Sequence, residues 1–212
     1  MRPSPERKRA GSNASRARQA HEVRIIGGQW KRTRLPVPDR PGLRPTPDRV
    51  RETLFNWLSS LATGGQGGGG ALPGWHCLDV FAGTGALGFE AASRGAAAVV
   101  LCEQDAVLAA QLTATRDKLA AAAVRVERGD GVGLLGRTAP GSLHAVFIDP
   151  PFEQPALHER ALAVAAAVLR PAGVVYLEAP RRWSDDELAR FRLSTYRHLK
   201  AGAVHAHLLR PA

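Results

Sequence analysis

His76-Cys77-Leu78-Asp79-Val80-Phe81-Ala82-Gly83-Thr84-Gly85-Ala86-Leu87-Gly88 is the stretch on which the fold turns. An apolar run leads into a glycine loop, and apolar residues at helical spacing follow. That order predicts a buried strand over His76–Phe81 and a helix from about Gly85 to Arg94. The unit then recurs. Strands are expected at Ala98–Glu103, Val124–Arg128, His144–Ile148 and Val174–Leu177. Helices are expected from Ala106 to about Ala121, near 131–136, and from about Ala156 to Leu169. Strands alternating with helices make an α/β domain with a parallel, doubly wound, Rossmann-like sheet and right-handed crossovers. A short helix (Ser184–Arg190) and two more strands follow, about Phe191–His198 and Ala203–Leu209. These face each other across Lys200-Ala201-Gly202 as an antiparallel hairpin. His205 and His207 on the last strand are expected on the exposed face of an edge strand.

Upstream of this domain, assigned to residues 75–212, the chain changes character. Residues 1–20 are basic and hold almost nothing to bury, so they read as a disordered arm. Residues 21–63 read as a basic extension. It comprises a small hairpin around Val23-Arg24-Ile25-Ile26-Gly27-Gly28 and Lys31–Val37, then a proline-rich extended stretch. A helix beginning near Asp48 completes it, with Val50, Leu54, Trp57, Leu58 and Leu61 at helical spacing and Asp48 as its expected cap. Residues 64–74, with Gly64–Gly70 at their start, read as a flexible linker.

The bulk numbers set bounds. The 212 residues with 44% hydrophobic content suffice for one domain with a real core. No apolar stretch approaches the roughly 20 residues that span a membrane, and no signal segment is evident. Cys77 and Cys102 imply neither a disulfide framework nor a metal site. A cytoplasmic protein is expected, and nothing suggests an obligate dimer, so a monomer is too. Of the net charge of +10, nearly all lies in residues 1–60, which hold 14 Lys+Arg against 5 Asp+Glu. A basic region attached to a balanced body is a footprint for a polyanion. Codon bias can explain why Arg outnumbers Lys, but not this asymmetry.

Ligands of open α/β sheets bind at the carboxyl ends of the strands. Three sequence features lie there. Gly83, Thr84 and Gly85 let a ligand approach the backbone at a helix N-terminus. Read literally, Gly83, Gly85 and Gly88 match G-x-G-x-x-G, and Glu103 ends the next strand where a ribose would lie, so a dinucleotide remains allowed. Asp79 disfavours it, because a carboxylate inside an apolar strand repels pyrophosphate and suits a cationic ligand such as S-adenosylmethionine. Phe81 adjoins the loop, and Gly129-Asp130 stands where an adenine edge can be read. The third feature is Asp149-Pro150-Pro151-Phe152, a carboxylate, two rigid prolines and an aromatic face after a strand. Such a ledge suits a planar base whose exocyclic amine is presented to an electrophile; its plain alternative is a strand ending in a proline turn.

Asp79-Val80-Phe81-Ala82-Gly83-Thr84-Gly85, Glu103 and Asp149-Pro150-Pro151-Phe152, in this order, resemble the class I S-adenosylmethionine-dependent methyltransferases that act on exocyclic amines. Arg24-Ile25-Ile26-Gly27-Gly28 and Arg44-Pro45-Thr46-Pro47-Asp48-Arg49-Val50-Arg51-Glu52-Thr53-Leu54-Phe55-Asn56 closely resemble the RsmD family of bacterial 16S rRNA guanine-N2 methyltransferases. The resemblance covers roughly residues 22–210. It implies a seven-stranded sheet with the last strand antiparallel and S-adenosylmethionine as methyl donor. It also implies, as target, a guanine of the small ribosomal subunit, conventionally guanine-966.

On this reading Asp149 accepts one hydrogen of the guanine amine and the Pro150 carbonyl accepts the other. Pro150 and Pro151 fix the ledge, and Phe152 stacks on the base. Asp79, Phe81, Gly83, Thr84, Gly85, Glu103, Gly129 and Asp130 are expected to hold the cofactor. Arg24, Lys31, Arg32, Arg34, Arg44 and Arg49 are expected on RNA phosphates, with solvated surface charge as the plain alternative. Arg49 and Arg51 have further readings, support of the cofactor site or pairing with Glu52. The substrate is expected to be 16S rRNA within an assembled or partly assembled subunit. An adenine methyltransferase of DNA, a non-catalytic RNA-binding assembly protein and a nicotinamide oxidoreductase remain as competing readings.

Overall fold

The computed structural model of the chain describes residues 23–38, 40, 46–64 and 70–212. The arm over 1–20, Arg44 and most of the Gly64–Gly70 linker lie outside these residues.

The alternating pattern folds as a sheet sandwiched between helices. In chain order come β1 (Val23–Arg24), β2 (Arg34–Leu35), α1 (Asp48–Ala62), β3 (His76–Asp79), α2 (Ala86–Ser93), β4 (Ala98–Glu103), α3 (Ala106–Lys118) and β5 (Val124–Arg128). Then follow α4 (Gly131–Arg137), β6 (Leu143–Ile148), α5 (Ala156–Val168), β7 (Leu169–Ala179), α6 (Asp185–Ala189), β8 (Leu193–Ala201) and β9 (Val204–Pro211). The seven-stranded sheet has the order β5-β4-β3-β6-β7-β9-β8. β5, β4, β3, β6 and β7 pair in parallel, and β9 runs antiparallel to both β7 and β8. The order reverses at β3, between β4 and β6, and a switch point of this kind opens a crevice at the strand ends. Among the described residues no helix is long and apolar enough to cross a membrane.

Strand alternation sends side chains to two cores. Cys77, Phe147, Tyr176 and Leu208 face a core shared with α1 and α2. Leu78, Val146, Ile148, Val175 and Leu209 face one shared with α4, α5 and α6. Each fully buried Leu or Phe contributes about 1.5–3 kcal/mol.

Residues 23–62 complete the first core. Val23, Ile25, Leu35, Val50, Leu54, Phe55 and Leu58 are all buried there. In the small hairpin Val23 pairs with Leu35 on the buried face, and Arg24 with Arg34 on the other. The Ile26 and Gly27 amides donate to Glu90 of α2 at 2.7 and 2.8 Å. Arg94 donates to the same carboxylate at 2.7 Å, and Arg51 approaches it at 3.8 Å. Gly28, at φ +74°, rests against the Ser93 carbonyl, and any Cβ would collide with it. The Gly27-Gly28 pair is therefore a docking joint against α2.

Three expectations change. Asp48 does not cap α1; Pro47 holds the cap position, and the Asp48 carboxylate takes Arg24 at 2.9 Å and Arg51 at 2.6 Å. Arg51 is fully buried and binds Asp48 and the Thr46 and Arg24 carbonyls, not Glu52. The histidine strand is interior, because β9 inserts between β7 and β8. His207 is fully buried between the Trp183 amide and the Leu177 carbonyl, and burial pushes its pKa down to about 4. Sequence order suggested an edge strand, but the last strand of the chain is not the last strand of the sheet.

Candidate active site

The crevice at the carboxyl ends of β3, β4, β5, β6 and β7 is a cleft of about 1110 Å³. Asp79, Phe81, Gly83, Thr84, Glu103, Gly129 and Asp130 line it, as do Asp149, Pro150, Pro151 and Phe152. The sequence-predicted cofactor and acceptor residues thus meet in one cavity. Gly85 stands behind the wall; at φ +77° it is the N-cap of α2, and a Cβ there would strike the Phe89 ring.

The glycine loop leaves β3 and is tied down on both sides. The Gly85 amide donates to Ala82, and the Gly83 amide donates to Glu103 Oε2 at 2.8 Å. Glu103 Oε1 accepts from the Asp105 amide at 2.8 Å. Asp105 caps α3 through the Val107 and Leu108 amides, and Asp130 caps α4 through the Val132 amide. The loop ends at three adjoining strands are thereby preset for a ligand.

Asp79 is the exception to this satisfaction. Its Oδ2 accepts from the Gly88 amide at 3.0 Å, but its buried Oδ1 has no hydrogen-bond partner among the described residues. Burial, aided by the Glu103 charge, pushes its pKa up to about 7. An unpaired buried acceptor is costly, and a cationic donor arriving in the cleft relieves that cost. The surroundings agree. Asp79, Glu103, Asp105, Asp130, Asp149, Glu153 and Glu178 line the cleft, against Arg40 and Arg160. A strongly acidic cavity in a basic protein repels pyrophosphate and attracts a sulfonium or ammonium. The residues present fit S-adenosylmethionine and disfavour a nicotinamide dinucleotide.

Folded Asp79 keeps its proton from its ordinary value of 3.8 up to about 7, where the unfolded chain has lost it. The folded state therefore binds the extra proton, and stability falls as pH rises through that window. At about 1.36 kcal/mol per pH unit the loss amounts to at most about 4 kcal/mol. Denaturant unfolding of the ligand-free protein between pH 4 and pH 8 is expected to show this decline, and Asp79→Asn to flatten it. An equal slope in the variant contradicts the assignment.

At the acceptor end, Asp149 follows β6 and is half-buried. Thr46 Oγ1 donates to its Oδ2 at 3.3 Å. Burial first, then the charges of Glu178 and Asp79, hold Asp149 well above the usual carboxylate range. Pro150 is buried, and Phe152 is half-exposed on the cleft wall. Thr46 and Glu178 also line this end, and sequence reasoning passed over both. Thr46 lies within the Arg44–Asn56 motif, and nothing in its sequence context sets it apart. Glu178 carried the signal that marked Asp79, an acid in an apolar strand.

The predicted cations lie apart from the cleft wall. Arg24, Lys31, Arg32, Arg34 and Arg49 are exposed. Arg24 is committed to Asp48 at 2.9 Å. Beyond the hairpin, the Pro36 carbonyl accepts from Gln111, and Arg40, on the cleft wall, approaches Asp105 at 3.9 Å.

Comparison with known proteins decides the family. Residues 23–210 match the family model described as conserved hypothetical protein 95. The ribosomal RNA small subunit methyltransferase D of Haemophilus influenzae is 38% identical over 165 residues, 76% of this chain and 80% of that protein. The chain belongs to the RsmD family. The Escherichia coli protein of the same name is 48% identical over 139 residues, 65% of this chain. The chain spans 64% of that relative's length. The solved structure of Escherichia coli yhhF, named as a candidate methyltransferase, superimposes with a TM-score of 0.70 at 34% identity. That match covers 90% of this chain and 98% of the other. The RsmD match reaches from the hairpin to β9, so the basic extension is part of the shared fold.

Proposed function

We propose that this protein transfers a methyl group from S-adenosylmethionine to the exocyclic N2 amine of a guanine in 16S rRNA, with guanine-966 as the target. The observation that carries this reading is the Asp149 ledge, which opens into the same acidic cleft as the unpaired Asp79 oxygen. When bound, the cofactor supplies an electrophilic methyl group. Asp79, Phe81, Gly83, Thr84, Glu103, Gly129 and Asp130 hold it, with Gly85 shaping the loop.

Guanine's amino lone pair is delocalised into the ring, so the nitrogen is a poor nucleophile. Asp149 accepts one amino hydrogen and the Pro150 carbonyl the other, which favours a pyramidal nitrogen with its lone pair aimed along the cleft. Alignment and fixed electrostatics supply the acceleration. Phe152 stacks on a base drawn out of its RNA fold, an extrusion that costs a few kcal/mol. Asp149 or water takes the proton lost as the amine becomes cationic.

The names of the RsmD relatives support ribosomal RNA as the substrate class. Lys31, Arg32, Arg34, Arg44 and Arg49 contact phosphates, and Arg24 joins them on the face it shares with Arg34. The substrate is RNA within an assembled or partly assembled small subunit, the enzyme acts as a monomer, and the setting is the cytoplasm. Transfer of labelled methyl to subunits, naked 16S rRNA and DNA tests the reading. Subunits lacking the modification are expected to be labelled; labelling of DNA alone contradicts the proposal.

Each cation that neutralises a phosphate releases counterions and steepens the salt dependence of binding. The double variant Lys31→Ala/Arg49→Ala is expected to weaken RNA affinity and lower the log–log salt slope by about one per lost contact. Binding measured from low to moderate salt checks this, and an unchanged slope contradicts it.

A further inference from the structure

The acceptor end of the cleft holds two carboxylates. β6 and β7 run parallel, with Phe147 beside Tyr176 and Ile148 beside Leu177. One residue further, the register brings Asp149 beside Glu178, at about the 4.8 Å spacing of neighbouring strands. Both lie on the sheet face of Phe147 and Tyr176, and both line the cleft.

The pair is held from outside. Thr46 Oγ1 donates to Asp149 Oδ2 at 3.3 Å, and the buried Tyr176 hydroxyl donates to Glu178 Oε2 at 2.8 Å. Glu178 is only 3% exposed. Among the described residues no Lys or Arg forms an ion pair with either carboxylate. Burying two uncompensated acids side by side costs stability and gives the fold nothing in return. The Tyr176 and Thr46 hydroxyls favour the charged form of Glu178, against the burial that raises its pKa. Tyr176 holds Glu178 Oε2, and the carboxylate forms part of the cleft wall, where a ligand can reach it.

Two neighbouring acceptors ask for two neighbouring donors. The Watson–Crick edge of guanine offers them, N1–H next to the N2 amine. Adenine and cytosine instead place a bare ring nitrogen beside the amine, and its lone pair faces a carboxylate oxygen unfavourably. A site built to bond a donor strongly rejects the analogue that lacks it.

We propose that Glu178 is a specificity-determining residue, accepting the N1–H of the target guanine while Asp149 holds its amine. This assignment rests on the guanine-N2 reading above. Glu178 does not touch the reacting nitrogen; it sets which base can present one.

The test replaces the target guanosine, in RNA assembled into subunits, by 2,6-diaminopurine riboside. That base keeps the N2 amine but carries a lone pair at N1. The wild-type protein is expected to methylate guanine with a kcat/KM about 10²-fold higher or more. In Glu178→Gln the guanine rate falls and the gap narrows to within about tenfold, because the Gln amide can donate to the bare N1. Equal wild-type rates on the two bases overturn the assignment. So does a Glu178→Gln protein, with intact cofactor affinity, that loses the same factor on both. The wild-type comparison needs no variant, so it stands even if Glu178→Gln folds poorly. Absence of wild-type transfer to guanine overturns the underlying guanine-N2 reading instead, and separates that failure from this one.

Discussion

Asp149→Ala is expected to lower methyl transfer by about 10³-fold or more while leaving cofactor affinity within about threefold. The asymmetry follows from position. Asp149 stands at the end of β6 with Thr46, whereas the groups proposed to hold the cofactor lie on the loops after β3, β4 and β5. Removing the carboxylate leaves only the Pro150 carbonyl to accept from the amine, too little to turn its lone pair out of the ring. It also removes a half-buried acid that desolvation and Glu178 already hold well above the usual range, so its loss costs the fold little. Single-turnover rates and calorimetric titration with the cofactor separate the two effects. Turnover near the wild-type value contradicts the role of Asp149, and a parallel collapse of cofactor affinity moves that role to the cofactor side.

Glu90→Gln is expected to produce the largest loss of stability, about 3–5 kcal/mol. Glu90 is fully buried and accepts from Ile26, Gly27 and Arg94, with Arg51 at 3.8 Å. The substitution keeps the volume but strands the buried Arg94 guanidinium without its counter-charge, and leaves Arg51 with Asp48 alone. For a domain of this size the melting temperature should drop by on the order of 10 °C. Activity should fall as well, since Arg51 holds the Thr46 carbonyl at 3.2 Å and Thr46 donates to Asp149. Calorimetric melting checks the stability, and a shift below about 2 °C shows that the network is not what holds the hairpin to α2.

Much of this architecture was legible in the residues themselves. Apolar strands alternating with helices, and glycines at a strand end, follow from short-range rules, and β3 to β7 lie close to where those rules place them. Boundaries moved where tertiary pairing extends a strand. β7 begins at Leu169, directly after α5, because Leu169 pairs with Leu143. The cleft was legible through its exceptions, acids such as Asp79 and Asp149 at the ends of apolar strands. Long-range partnerships were not. Nothing near Glu90 announces that it binds Ile26 and Gly27, more than sixty residues away. Arg51, expected to support the cofactor site or to pair with Glu52, binds Asp48 and two carbonyls instead, because helical spacing does not say what packs over a helix's first turn. Glu178 was missed because its neighbour Asp149 comes from another strand, and only the β6–β7 register joins them. Histidines on the final strand were misplaced for a related reason, since strand order in a sheet is not strand order in the chain.

The most direct test of the central claim is the identity of the methylated nucleoside. Small subunits lacking the modification are incubated with the protein and labelled S-adenosylmethionine, digested, and read by mass spectrometry. The account predicts N2-methylguanosine at one position, absent with Asp149→Ala. A methylated adenosine, or no nucleic acid product from a protein that binds the cofactor tightly, contradicts it.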